Sequence, residues 1–344
     1  MTKATVEDVA RHAGLSSATV GRVLNGRGNV SSQAREKVAA AVSALSYRQL
    51  PSSISVSTKP ILNFLFLIPE RKTEFLKMFE TAIDLAPVAV DDCNVKITIC
   101  PIPFDADEAV IRELDGISED LTQGVALFAI DAPGVRQAVE RAKRRGIQVV
   151  TLVSDIPGVT SSFIGIDNVS AGRVAGNLMG RFICGSFSDL PAGPVGIICG
   201  TARLRDQIDR MYGFSQIMSR RFSNIELLAP LEGNSIPEVN YEFTKELLKT
   251  HPNLSGIYSG SAGNSGILEA LSETDQSPIT LMHELTPMVR DALSKGEVDA
   301  VLSQNVDHIA RSAVRTLRAN YLGRPILESQ EKIEIDIFLT DNIP

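Results

Sequence analysis

Short apolar runs recur along the chain near 61–68, 95–101, 124–130, 147–153, 194–199, 225–230, 255–259, 279–282 and 298–302. No other feature of the sequence limits the fold so tightly. Each run is strand-sized, and the segments between them, such as 134–145 (GVRQAVERAKRR) and 305–322, carry helical spacing. A strand followed by a helix and then another strand cannot return as a hairpin. It pairs in parallel through a crossover, which builds a parallel sheet covered by helices on both faces. Roughly 280 residues carry this pattern, more than one domain usually holds, so two doubly wound parallel sheets are expected. Ligands of open parallel sheets bind outside the carboxyl ends of the strands. Between two such sheets that place is a cleft.

The polar residues at those strand ends follow directly. They are Asp131 after LFAI, Asp155 after VVTLVS, Glu284 after ITLMH and Gln304 after AVLS. Arg210 lies in a helix beyond the GIICG strand end, and Asn264 lies in the Gly-rich turn SGSAGNSG. Carboxylate, amide and guanidinium groups facing one cleft can bracket adjacent hydroxyls of a sugar or polyol. Phe75, beyond the first strand, can stack on an apolar sugar face. Taken singly, each of these residues reads equally as a helix cap or half of a surface ion pair. Their joint occurrence at strand ends favours a site.

The first 60 residues are different in kind. They hold eight Lys or Arg and three Asp or Glu, a net of +5, while the remainder carries −12 of the total −7. That asymmetry points to a polyanion-binding head on an acidic body. Thr5 and Asp8 are spaced as a capping box, with Asp8 where Glu or Gln is usual. Val6, Val9, Ala10 and Ala13 then form one helical face, and Gly14 ends it. Ser16 caps a second helix with apolar face Val20, Val23 and Leu24, stopped at Asn25-Gly26. Ser31 begins a third, carrying Val38, Val42 and Leu45. Two helices joined by a short Gly-containing turn are a helix-turn-helix. The polar face of the second helix bears Ser17, Ala18 and Arg22. Short side chains at the start let a helix enter the major groove, and Arg22 can donate two hydrogen bonds to a guanine. Thr5, Ser16, Thr19, Asn25 and Ser31 suit phosphate oxygens. On spacing alone an ordinary three-helix bundle stands beside this reading.

The segment TVEDVARHAGLSSATVGRVLNGRGNVSSQAREKVAAAVSALSY resembles the head of the LacI family of bacterial repressors. The likeness runs through Asp8-Val9-Ala10, Ala13-Gly14, Ala18-Thr19-Val20, Arg22 to Gly26, Val30-Ser31, Arg35 to Val38 and Tyr47. It implies Ser17, Ala18 and Arg22 as base readers on duplex DNA. Gly21 departs from it, because the family usually has a serine there that contacts a phosphate. Residues 49–60 (QLPSSISVSTKP) read either as a flexible tether or, by the resemblance, as a hinge helix that wedges an apolar side chain into the minor groove. Counting nine residues from Tyr47 gives Val56 as the wedge, with Ile54 as its competitor.

Residues 61–344 resemble the periplasmic sugar-binding fold that also forms the effector core of LacI-type repressors. Arg210-Met211-Tyr212-Gly213-Phe214 is similar to the family's RxxGF, Gln304-Asn305 to its crossover segment, and Ile166-Asp167-Asn168 to its xDN segment. Glu284 stands where many relatives have a hydroxyl-binding Asp, whereas Val153-Ser154 replaces an Asp-Arg pair of some sugar binders. The fold class expected is a small all-α helix-turn-helix head joined to an α/β core of two periplasmic-binding-protein-like subdomains. Its expected boundaries are 1–48 for the head, 49–60 for the hinge, 61–165 plus 305–331 for one subdomain, and 166–304 plus 332–344 for the other.

Other chemistry finds no support in the sequence. There is no GxxxxGK[ST] phosphate loop, no GxSxG elbow, and no second histidine after His283-Glu284 to complete HExxH. Cys93, Cys100, Cys184 and Cys199 form neither a disulfide framework nor a CxxC zinc pattern. No enzyme activity, cofactor or metal is expected. A solute-binding transport protein would carry a leader and no DNA head. The N-terminus has no apolar leader core, and residues 61–68, the longest apolar run, cannot span a bilayer. The expectation is a cytoplasmic, homodimeric repressor that binds a pseudo-palindromic DNA operator under the control of a small sugar- or polyol-like effector.

Overall fold

The computed structural model describes residues 5–24, 30–45, 61–70, 73–86, 94–104, 106–160, 162–185 and 192–344. The chain divides into two units, residues 1–60 and 61–344. Asn25, Tyr47, Ile54 and Val56 lie outside the described residues, and with them the whole of the 49–60 segment.

The first unit consists of three helices, α1 (Val6–Ala13), α2 (Ser17–Leu24) and α3 (Ser32–Ala44). The capping box at the start of α1 is complete. Thr5 Oγ1 accepts the Asp8 N–H at 3.3 Å, and Asp8 returns a carboxylate oxygen to the Thr5 N–H at 2.9 Å. Gly14 ends α1 at φ 65°, in the left-handed region that glycine enters without strain. Ser16 and Ser31 cap the next two helices by accepting the N–H groups of Thr19 and Ala34. The apolar positions expected from the spacing meet in one small core, including Val9, Ala13, Val20, Leu24, Val38 and Val42.

The second unit holds two sheets. The first has order β2-β1-β3-β4-β5, with β1 (Ile61–Pro69), β2 (Asn94–Ile102), β3 (Gly124–Leu127), β4 (Gln148–Leu152) and β5 (Phe163–Ile164), all parallel. Its helices are α4 (Glu74–Leu85), α5 (Asp107–Gly116) and α6 (Pro133–Arg144). The helix α12 (Val306–Leu322), far along the chain, also packs on it. The second sheet has order β11-β10-β9-β8-β6-β7, parallel except for its last strand in sequence. Its strands are β6 (Val195–Cys199), β7 (Leu231–Glu232), β8 (Gly256–Ser259), β9 (Ile279–His283), β10 (Ala300–Gln304) and β11 (Ile335–Phe338). Around it lie α7 (Asn168–Gly185), α8 (Arg205–Arg221), α9 (Pro237–Thr250), α10 (Asn264–Ser272) and α11 (Pro287–Lys295), and a short α13 (Glu328–Glu331) precedes β11.

The strands are apolar at successive residues because both faces are covered. Ile198, Ile257, Met282 and Val301 pack into one cluster, while their neighbours Ile197, Tyr258, Leu281 and Leu302 pack into another. The side-chain period of two sends adjacent residues to opposite sides of the sheet.

The strand readings need correction at 225–230 and at β11, and the two-residue β5 also falls in no expected run. The apolar run 225–230 forms no strand. Leu227 makes an isolated bridge to Val195, and strand pairing begins only at Leu231. Pro230 lacks an N–H and interrupts the ladder at this edge. The alternating segment around β11 was not among the expected runs, yet it pairs antiparallel with β10 from Val301–Phe338 to Gln304–Ile335.

Candidate functional site

In the first unit, α2 turns Val20, Val23 and Leu24 inward and leaves Ser17, Ala18 and Arg22 exposed. Neither α2 nor α3 has an acidic residue in its first turn. The partial positive charge of both helix starts is therefore not offset locally, which suits an approaching phosphate. The start of α1 differs. The Thr5 hydroxyl donates to Asp8 at 2.7 Å, and these bonds hold the Asp8 carboxyl below its ordinary pKa. Thr5 thus begins committed to a carboxylate. The Ser16 and Thr19 hydroxyls share a bond of 2.8 Å, and Ser31 is exposed. Gly21 is half-buried, and an added Cβ would meet nothing within 4 Å.

In the second unit, side chains from both sheets line a cavity of about 470 Å³ and an adjoining recess of about 70 Å³, which share Thr73, Phe75, Ser235, Ala262 and Glu284. The strand-end rule explains the gathering. Glu284 follows β9, Gln304 ends β10, Asn264 opens α10 after β8, and Arg210 lies in α8 after β6. Phe75 enters from the first turn of α4 after β1.

Arg210 is placed by close helix packing. A Cβ on Gly172 would sit 2.0 Å from the Arg210 carbonyl oxygen, and one on Gly213 would sit 2.1 Å from that of Val169. Only glycine at these two positions lets α7 and α8 touch backbone to backbone. The guanidinium is then 3% exposed. Its Nε donates to Asn168 Oδ1 at 2.8 Å, and one terminal nitrogen donates to the Gly260 carbonyl at 2.9 Å. The other terminal nitrogen stands 3.5 Å from Glu284 Oε1, an ion pair too long for a hydrogen bond. Glu284 accepts the Gln304 side-chain amide at 2.8 Å. Burial raises its pKa, against the opposing pull of Arg210 and Gln304. His283 beside it is held neutral, because burial and then Arg210 push its pKa well below the usual histidine value. Asn264 accepts the Ser259 hydroxyl at 2.6 Å and donates to the His283 carbonyl at 3.1 Å.

The backbone is strained around the same space. Val153, Ser235 and Glu284 line the cleft at φ 62°, 57° and 68°. For a β-branched residue such as Val153 this is an unusual conformation, of the kind that clusters at ligand clamps.

Three buried side-chain atoms lining the recess have no hydrogen-bond partner: Asp206 Oδ1, an Arg210 terminal nitrogen and Gln304 Oε1. Buried polar groups are ordinarily satisfied, so these three atoms are hydrogen-bonding capacity, one donor and two acceptors, that the protein itself leaves unused.

Two expected residues are elsewhere. Asp131 is forked onto Arg136 through both carboxylate oxygens, and Asp155 accepts the Thr151 hydroxyl at 2.9 Å. Neither lines the cavity or the recess. The strand-end rule fixes where a residue sits but not which way it turns, and each found a neighbour in its own half. Asp206 and Gln207 were missed, although Asp206 precedes Arg210 by one helical turn on the same face. Phe104 and Phe128, also missed, line the recess beside Phe75. Where an Asp-Arg pair was the comparison, Ser154 instead ties the two halves. Its hydroxyl accepts the Arg205 and Asp206 N–H groups at 3.0 and 3.3 Å.

A family model described as a periplasmic binding protein domain matches residues 64–325, and one described as bacterial regulatory proteins, lacI family, matches residues 5–49. The ribose operon repressor of Halalkalibacterium halodurans is 27% identical over 269 residues, 75% of this chain and 71% of that one. The HTH-type transcriptional regulator DegA of Bacillus subtilis is 23% identical over 220 residues, 63% of this chain and 61% of that one. Among solved structures, the glucose-galactose binding protein GanP of Geobacillus stearothermophilus superposes with a TM-score of 0.71 at 19% identity, covering 83% of this chain and all of that one. A solute-binding protein of Burkholderia graminis in complex with D-arabinose gives 0.73 at 20% identity, covering 83% of this chain and 97% of that one. At such identities these two structures speak for the fold alone.

Proposed function

As a member of the lacI family of bacterial regulatory proteins with a periplasmic binding protein domain after its head, the chain is a DNA-binding transcriptional regulator of repressor type, and we propose that a small sugar- or polyol-like effector in the cleft sets its affinity for an operator. The observation that carries the effector reading is the trio of unpartnered atoms on Asp206, Arg210 and Gln304. Arg210, Glu284, Gln304 and Asn264 hold hydroxyls of the effector, and Phe75 packs on its apolar side. Asp131 and Asp155 have no part in it.

In the head, Arg22 with Ser17 and Ala18 reads base edges in the major groove. Ser16, Thr19 and Ser31 fix its register on phosphates, together with Thr5 and Asn25. Two copies bind as a homodimer to a pseudo-palindromic site in the cytoplasm, and residues 49–60 couple cleft to head. The effector moves operator affinity only as far as its own affinities for the DNA-competent and incompetent states differ. No reaction is assigned to the cleft.

The test pairs a gel-shift titration with a panel of sugars and polyols. Arg210→Ala and Glu284→Ala are expected to lose the response to ligand while keeping operator affinity. If both variants still respond, the effector site is not this cleft.

A further inference from the structure

Residues 200–206, between β6 and the first turn of α8, belong to the second half of the core by their backbone and to the first half by their side chains. Within the second half, the Gly200 N–H donates to Gln207 Oε1 at 3.0 Å, and the Ala202 N–H donates to Glu232 Oε2 at 3.2 Å. The Leu204 N–H closes a turn on the Thr201 carbonyl at 3.2 Å. These bonds fix the loop to its own sheet.

Four successive residues then reach across. Arg203 donates through one terminal nitrogen to both carboxylate oxygens of Asp107, at 3.1 and 3.3 Å, in the first turn of α5. Leu204 is 7% exposed and joins the core cluster that holds Phe64, Phe75 and Phe128 of the first half. A small hollow around it is otherwise lined wholly by first-half residues, among them Pro69, Phe104, Val110 and Ile130. Arg205 and Asp206 give their N–H groups to Ser154 Oγ, which lies in the first half beyond β4. The leading N–H groups of a helix have no partner within it. The residue before α8 is Leu204, which supplies no side-chain cap, so a serine from the other half takes that part. Val153, at φ 62° and with its N–H on the Ile164 carbonyl at 3.0 Å, sets Ser154 in place.

We propose that residues 203–206 form a clasp that holds the two halves of the core together before any ligand arrives, with Leu204 as its plug, Ser154 as the cap of α8 and Arg203–Asp107 as its outer pair. The halves can part at this edge only by exposing the leucine, stripping the first N–H groups of α8 and breaking the ion pair together. Burial of the leucine is the largest of these contributions. The ion pair is the smallest, because its side chains are 46% and 27% exposed. Nothing has to occupy the cleft for the clasp to close, so it holds or fails independently of the effector reading.

Hydrogen exchange of the full chain without ligand, resolved to single amides, reads the clasp at Arg205 and Asp206. The variants lie in the first half, away from those amides. Ile130→Ala widens the hollow around Leu204, and Asp107→Arg sets a like charge against Arg203. Both amides are expected to exchange slowly in the parent protein and about tenfold faster in Ile130→Ala. In Asp107→Arg the gain is expected to be up to about fivefold. Amides of β8 and of the later turns of α8 keep their protection in both variants. Adding Arg203→Asp to Asp107→Arg restores the pair with its charges exchanged, and the parent rate is expected to return. Parent amides that exchange as fast as those of an open loop overturn the proposal. So do variants that leave the two amides unchanged, that speed β8 equally, or that show no recovery on the charge exchange.

Discussion

The head and the core solve recognition by opposite means. The head keeps Ser17, Ala18 and Arg22, the proposed base readers, on an exposed helix face within about two turns, over a core of mostly small side chains such as Val20 and Val38. The core draws Phe75, Asp206, Arg210, Glu284 and Gln304 from segments more than 200 residues apart and buries them. A surface that waits for a charged polymer needs little beyond correct helix phase. A site that encloses a small molecule has to hold buried polar atoms open, against the cost of leaving them unpaired. The difference shows in the backbone too. Non-glycine residues at positive φ, Val153 and Glu284 among them, lie in the core, and none lies among the described residues of the head.

This contrast can be broken or sharpened by substitution. Arg210→Ala leaves Glu284 as a buried carboxylate without its cation, and such losses cost roughly 3–5 kcal/mol. Urea unfolding of the full chain is expected to show that drop in the core transition alone, with the head transition unmoved. Leu24→Ala cuts a side chain 6% exposed out of the head core and should cost about 2–4 kcal/mol. Operator binding is expected to vanish while ligand-induced stabilisation of the core stays, as read by anisotropy and thermal shift on one preparation. Arg22→Ala should lose about 1–3 kcal/mol of discrimination at one base pair, with affinity for unrelated DNA falling far less. If its base preferences equal those of the parent, Arg22 does not read a base.

The cleft also gives the core a pH signature, through His283 and Glu284. The folded pKa of His283 is depressed, so its contribution is full above the unfolded value of 6.5 and is lost as pH falls below it. The slope for one such group is at most about 1.4 kcal/mol per pH unit. Glu284 has the opposite sign. Its folded pKa is raised, so its contribution is present below 4.5 and is lost as pH rises toward the folded value. His283→Gln is expected to flatten the fall in core stability between pH 6.5 and 5.5, and an unchanged slope would mean the imidazole is not held neutral. The smallest effect belongs to Gly21. An added Cβ has open space there, and leaving glycine inside a helix costs up to about 1 kcal/mol. Gly21→Ser should raise the head's melting midpoint slightly and keep or tighten DNA binding, and a large loss in a gel-shift titration contradicts this.

Legibility followed the same divide. Thr5, Asp8, Gly14, Ser16 and Ser31 act within four residues of themselves, so their roles stand in the sequence and recur in the structure. The alternating strands and helices gave two sheets, and the strand ends bring Arg210, Asn264, Glu284, Gln304 and Phe75 to one cavity and recess. Asp131 and Asp155 lie outside it, bonded to the short-range partners Arg136 and Thr151. The strand-end rule passed over Asp206 because a helix phase, not a strand end, puts that residue in the recess. The left-handed conformation of Glu284 has no signature in its residue type, since only the surrounding packing imposes it.

The claim on which the rest depends is that occupancy of the cleft governs the grip of the head on DNA. The direct measurement is anisotropy of a labelled operator titrated with the full chain, with and without a saturating amount of the probe that gives the largest thermal shift. The account expects the operator Kd to move by about fivefold or more with the parent protein, the lower end of typical coupling, and to stay fixed with Arg210→Ala. A probe that fills the cleft of the parent protein and leaves its operator Kd unchanged would contradict it.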